Sequence, residues 1–119
     1  MKKTLILALA CMGLAAPAFA DMPKMNDGKW VDDGGYTLYT FDKDTQGKSA
    51  CNAACAQNWP PAVANADDTA SGDWSFVKSA DGKNQWAYKG QPLYRFVMDK
   101  SPGETKGDGV KGMWHTAKP

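Results

Sequence analysis

The chain has 119 residues, with 14 Lys and Arg against 13 Asp and Glu, for a formal charge of +1 at neutral pH. That length fits one domain, and the near-neutral balance excludes a nucleic-acid binder, which needs a basic face to neutralise phosphates. No apolar span follows the N-terminal segment, so no transmembrane helix is expected in the mature chain.

Residues 1–20 read as a secretory signal. Lys2 and Lys3 form the charged start, residues 4–16 an apolar stretch, and Ala18-Phe19-Ala20 a small-x-small cleavage site. The apolar stretch is too short for a membrane anchor. Ala8-Leu9-Ala10-Cys11 is a poor version of a lipoprotein box, and lipidation of Cys11 is the alternative processing route. Cleavage near Ala20 leaves residues 21–119 as a single mature domain in the periplasm or outside the cell. Losing Lys2 and Lys3 takes the charge from +1 to −1. The mature part has few Ile and Leu but five Trp, four Tyr and three Phe, so aromatic rings must supply most of its buried area.

Residues 21–29 are polar and without period, a flexible leader or an edge extension. Lys29-Trp30-Val31 is a short strand, and Asp32-Asp33-Gly34-Gly35 a turn. Residues 36–41 alternate, Leu38 and Thr40 to one side and Thr37, Tyr39 and Phe41 to the other, which completes a first hairpin. Ser49 is placed to cap a helix over residues 50–58, which Trp59-Pro60-Pro61 ends. Residues 63–73 read as a surface loop. Residues 74–77 and 85–88 are strands joined by an Asp81-Gly82 turn. After a turn at Lys89-Gly90, residues 92–97 form a strand, residues 101–112 a long glycine-rich loop, and residues 113–116 the closing strand. About six short strands and one short helix make the expected fold mainly β.

Part of this order occurs twice. At an offset of 55 positions Gly35 falls on Gly90, Leu38 on Leu93, Tyr39 on Tyr94, Phe41 on Phe96, Asp44 on Asp99 and Trp59 on Trp114. Six identities at one gapless offset point to a duplicated supersecondary unit. The units span about 28–61 and 74–117, and pseudo-twofold symmetry between the two strand-hairpin units is expected.

Tyr39-x-Phe41-x-x-Asp44 and Tyr94-x-Phe96-x-x-Asp99 resemble the motif of the bacterial secreted repeat or lipoprotein family named for Yx(FWY)xxD. Cys51-Asn52-Ala53-Ala54-Cys55, Asn58-Trp59-Pro60-Pro61, Asp81-Gly82, Gly90-x-Pro92-Leu93-Tyr94 and Gly112-Met113-Trp114-His115 are similar to it too. The resemblance covers roughly residues 28–119. It implies an exported protein and a repeat fold, and no defined chemistry. Many members are lipid-anchored, which the cleavage site near Ala20 argues against here.

Cys51 and Cys55 are the cysteines that remain after cleavage. In an oxidising compartment the pair reads first as a structural disulfide, which a spacing of four permits. A redox-active pair and a soft-metal site remain open; the latter would hold Cu(I) with Met98, Met113 or His115 as further ligands. His115 is the sole histidine, so no zinc site or Cys–His catalytic pair is indicated. Asp42-x-Asp44-x-Gln46-Gly47 starts like a calcium loop, but its twelfth position is Ala53 rather than Glu. Tyr39, Phe41, Tyr94 and Phe96 have the spacing of core aromatics more than of a sugar-stacking face. Asp44 and Asp99 are placed to accept backbone N–H bonds in the loops that follow, and to receive buried Tyr hydroxyls. The motif residues are thus Tyr39, Phe41, Asp44, Trp59, Tyr94, Phe96, Asp99 and Trp114.

The expected protein is a small exported monomer. It is a binding or envelope accessory module for a small molecule or an envelope protein, without a cofactor and without enzyme activity. The alternative is a periplasmic copper or redox accessory protein built on Cys51 and Cys55.

Overall fold

The computed structural model describes residues 22–119; the expected signal segment, its cleavage site and Cys11 lie outside the described residues. The fold is mainly β. Its strands are β1 (Lys24–Asn26), β2 (Lys29–Val31), β3 (Tyr39–Phe41), β4 (Trp74–Lys78), β5 (Asn84–Tyr88), β6 (Gln91–Pro92) and β7 (Trp114–Thr116). One short helix, α1 (Ala53–Ala56), and a 3-10 turn at Val110–Gly112 complete the regular elements.

The strands form small antiparallel sheets: β1 with β2, β3 with β7, and β4-β5-β6. The segment read as a leader is half of an edge hairpin. Asp27 and Gly28 both take positive φ, 54° and 78°, the backbone of a two-residue turn whose twist suits the flanking strands. The motif strands are shorter than alternation implied. Only residues 39–41 of the first and 91–92 of the second lie in regular ladders, because each continues into isolated bridges with several partners.

Those partners follow a pattern. The Leu38 N–H donates to the Trp30 carbonyl at 3.1 Å, and the Leu93 N–H to the Trp86 carbonyl at 3.0 Å. The Ala117 N–H donates to the Leu38 carbonyl at 2.8 Å, and the Ala62 N–H to the Leu93 carbonyl at 3.0 Å. The Asp42 N–H reaches the Met113 carbonyl at 2.8 Å, and the Val97 N–H the Asn58 carbonyl at 3.0 Å. Between the two sets, Tyr39 and Tyr94 exchange both backbone hydrogen bonds, at 2.8 and 2.9 Å. The segment that closes each repeat therefore lies against the motif strand of the other. Arg95 adds a tie across the repeats: its guanidinium meets the Asp32 carboxylate at 2.7 Å and lies over the Tyr36 ring, 3.9 Å from the centroid.

Neighbouring residues of a strand point to opposite faces, and here both faces are covered. Leu38 and Leu93 enter one apolar cluster with Ala62, Ala64, Trp86 and Ala117, flanked by Trp30, Trp74, Phe76 and Tyr88. Tyr39 and Tyr94 enter the other with Cys51, Trp59 and Trp114, flanked by Phe41, Phe96, Val110 and Met113. Aromatic rings dominate both clusters, as the composition required.

The helix is shorter than the alanine-rich stretch implied, and its cap is Asn52 instead of Ser49. Asn52 is extended, with φ −78° and ψ −173°, and its side-chain oxygen accepts the Cys55 N–H at 2.9 Å. Just before it, the Asp44 carboxylate accepts the Ala50 N–H at 2.6 Å, which keeps residues 50–52 out of the helix. Local side-chain acceptors here outcompete helix propensity.

Candidate functional site

The motif residues assemble around the second cluster. Tyr39 and Tyr94 are fully buried, and each phenol donates to the aspartate of the other repeat: Tyr39 to Asp99 Oδ2 at 2.6 Å, Tyr94 to Asp44 Oδ2 at 2.7 Å. The remaining oxygens of both carboxylates hold loops, Asp44 Oδ1 through Ala50 N–H and Asp99 Oδ1 through Lys106 N–H at 2.9 Å. Tyr39 also accepts the Gly107 N–H at 3.1 Å, and Ser49 Oγ lies 2.5 Å from the Tyr94 hydroxyl. Burial, and then the aspartate partner, pushes the Tyr39 phenol well above its ordinary range; burial foremost does the same to Tyr94. Burial also raises the Asp44 carboxyl, against the opposing pull of its Ala50 and Tyr94 hydrogen bonds. Phenols held protonated in this way are structural donors with no proton to exchange near neutral pH.

Beside the phenols lies a ladder of rings. Phe41 stacks on Trp114 with centroids 4.1 Å apart, Trp114 on Trp59 at 3.8 Å, and Trp59 on Phe96 at 4.1 Å. Tyr39 and Tyr94 stand edge-on to Trp59 and Trp114, at 5.5 and 5.2 Å. Gly107 closes the far side. A Cβ there would come within 2.7 Å of the Trp59 ring and 3.0 Å of Tyr39, so the loop can approach this closely only without a side chain.

Cys51 and Cys55 are disulfide-bonded, with sulfurs 2.08 Å apart, and the bond ties the segment before α1 to the helix. Met98, Met113 and Cys55 line one groove, whereas His115 stands apart. The His115 ring is exposed on β7, its Nε2 3.0 Å from Asp42 Oδ2. Among the described residues no cluster of three or more His, Cys, Asp or Glu is arranged to hold a metal ion. No helix among them is long and apolar enough to cross a membrane.

The groove, of about 470 Å³, runs along the ring ladder. All its lining residues but Lys111 fall into pairs at the 55-residue offset: Phe41 with Phe96, Lys43 with Met98, Cys55 with Val110, Asn58 with Met113, and Trp59 with Trp114. The rings are kept in both copies and the rim residues differ. Exchange of the closing segments gathers Lys43, Val110, Lys111 and Met113 at the Phe41–Trp114 end. Cys55, Asn58 and Met98 gather at the Trp59–Phe96 end. A second cavity of about 240 Å³ lies on the other side of α1, between Cys51, Ala53 and Ala56 and the β4–β5 turn at Ser79 and Ala80.

The structure thus brings Tyr39, Phe41, Trp59, Tyr94, Phe96, Asp99 and Trp114 together, with Asp44 at the margin. Sequence reasoning missed Lys43, Asn58, Val110 and Lys111 as groove residues, and Gly107 as the wall behind the ladder. The offset itself held a signal for the first three, since each is the counterpart of a residue already singled out: Met98, Met113 and Cys55.

No curated protein and no solved structure matches the chain. A family model described as "Secreted repeat of unknown function" matches twice, over residues 24–63 and 75–118, and these two stretches cover most of the chain. Each ends just past one of the exchanged closing segments, at a spacing of 55 positions. With two copies of the repeat matched in tandem, the chain belongs to this secreted repeat family.

Proposed function

We propose that the protein is a small exported binding module without enzyme activity, and that its ligand site is the groove along the ring ladder. The observation that carries this reading is the lining of the groove. It is built from equivalent positions of both repeats, with buried Trp rings as its floor and the exposed Met98 on its rim. A concave, mostly apolar site with a few polar groups is the common form of a small-molecule pocket. A large thioether left exposed suits a surface that adapts to what it binds.

The absence of an acid–base set in the groove supports binding over catalysis. The buried phenols are held protonated, and the sole histidine is engaged with Asp42 at the surface. The Cys51–Cys55 bond takes away the thiolates that a Cu(I) site there would need, so the copper reading gains no support. The reading places the protein in the periplasm or outside the cell as a monomer, with a resident cofactor not required.

The test is in-cell photo-crosslinking. A benzophenone side chain replaces Met98 in the groove or, as a control, the exposed Val63 remote from it. Irradiated cells should yield a defined mass adduct from the Met98 position and none from Val63. Equal labelling at both positions, or none at Met98, would overturn the groove as the site.

A further inference from the structure

The ligand class follows from how the groove is charged and which parts of its rings are exposed. Resting on the groove reading above, we propose that the groove takes a free anionic amphiphile, an apolar chain or ring system bearing one carboxylate-like group.

The first argument is charge. Lys43 and Lys111 sit at the same end, both exposed, and neither enters an ion pair among the described residues. No acidic residue lines the groove. Lys111 is also held in place by its backbone. It takes φ 53° and ψ 17° inside the 3-10 turn, between Gly109 and Gly112, a conformation that costs a residue with a side chain. A glycine at that position would avoid the cost.

The second argument is the floor. Trp114 is sandwiched between Phe41 and Trp59, and Trp59 between Trp114 and Phe96. Both faces of each indole are covered, so the two Trp offer a ligand only their ring edges. Ring edges carry the positive part of the aromatic quadrupole. They favour an anion, and the indole faces, the best for stacked sugars and quaternary ammonium groups, are withheld. The far end, with Met98 and the Cys55 disulfide sulfur, carries no charge and suits an apolar tail. One end is thus cationic, the floor electropositive and the other end soft and uncharged, which is the complement of an amphiphilic anion.

The test uses the exported protein, with decanoate, decanol and decyltrimethylammonium as probes below their micelle thresholds. Amide NMR spectra locate each probe. Decanoate should shift the amides of groove residues and bind about fivefold or more tighter than decanol at low salt. That margin should shrink with added salt and in Lys43→Gln/Lys111→Gln. Decyltrimethylammonium should bind most weakly. If decanol binds in the groove as tightly as decanoate, the anionic class is wrong while the groove remains the site. If none of the probes moves a groove amide, the proposal fails, and the crosslinking at Met98 decides the groove separately. Sedimentation with phosphatidylglycerol vesicles, in the absence of decanoate binding, would overturn the free molecule in favour of a lipid surface.

Discussion

Tyr39→Phe and Tyr94→Phe remove the same atom from matched positions of the two repeats, yet they should differ severalfold in cost. Both rings stay, with their edge contacts to Trp59 and Trp114, so apolar packing cancels in the comparison. At Tyr39 the lost donor leaves Asp99, only 4% exposed, with an unfilled carboxylate oxygen. A hydrogen bond to a charged group contributes about 1.5–3 kcal/mol. The Gly107 N–H loses its buried acceptor as well, adding about 1 kcal/mol, for a total of about 2.5–4 kcal/mol. At Tyr94 the acceptor is the half-exposed Asp44, and water can replace the phenol there and at Ser49. The cost should be about 0.5–1.5 kcal/mol. Urea unfolding followed by Trp fluorescence reads both. With a slope of about 1–3 kcal/mol per molar, Tyr39→Phe should lower the midpoint by roughly 1–4 M and Tyr94→Phe, at the same slope, by about half as much or less. Equal losses, or a larger loss at Tyr94, would refute the claim that burial of the acceptor sets the strength of the pair.

The buried phenols also set an alkaline limit. Their folded pKa lies above the unfolded value near 10, so their contribution is intact below that pH and is lost as pH rises above it, by about 1.4 kcal/mol per phenol per pH unit. Urea midpoints measured from pH 8 to 11 should be flat at first and then fall; a rise would contradict the burial. Cys51→Ser/Cys55→Ser opens a loop of only four positions and should cost roughly 1–3 kcal/mol, with the β circular dichroism signal kept. A double variant that fails to fold would show that the bond does more than fix the α1 segment. Gly107→Ala should cost roughly 1–3 kcal/mol through overpacking against Trp59 and Tyr39, and should shift the Trp emission; Gly28→Ala, where a Cβ meets open space, should leave the emission unchanged.

The sequence carried the β content, the tandem repeat and the cysteine pair, because each depends on local signals: turn dipeptides, alternation and spacing. Asp27-Gly28 held a hairpin signal that was passed over, since no clear strand preceded it. The α1 segment misled because alanine content speaks for helix while Asp44, six residues upstream of Ala50, speaks against it. The exchange of closing segments was not legible. Trp59 and Trp114 matched at the offset, but identity between copies does not say whether each closes its own motif strand or the other's. The phenol–carboxylate pairing was anticipated as a residue choice, and its crossing between repeats has the same origin in three-dimensional exchange. The groove escaped for the opposite reason. A search for identities discards Lys43 against Met98 and Asn58 against Met113, the positions where the two copies have diverged.

The exchanged closing segments have a consequence for how the molecule is made. The Leu38 carbonyl receives the Ala117 N–H, a partner 79 positions away, and β3 finds its ladder in β7, more than 70 positions on. The β1–β2 hairpin and the β4-β5-β6 sheet are local products, but neither motif strand can be finished from its own half, and such distant pairings form slowly. The β3 ladder is therefore complete only once residues 114–117 have joined it. A product truncated before them leaves the Leu38 carbonyl without the Ala117 N–H, β3 without its β7 ladder and the Phe41 ring without its stacking neighbour, and so more open to proteolysis. Completion of the strand exchange thereby doubles as a check on chain integrity.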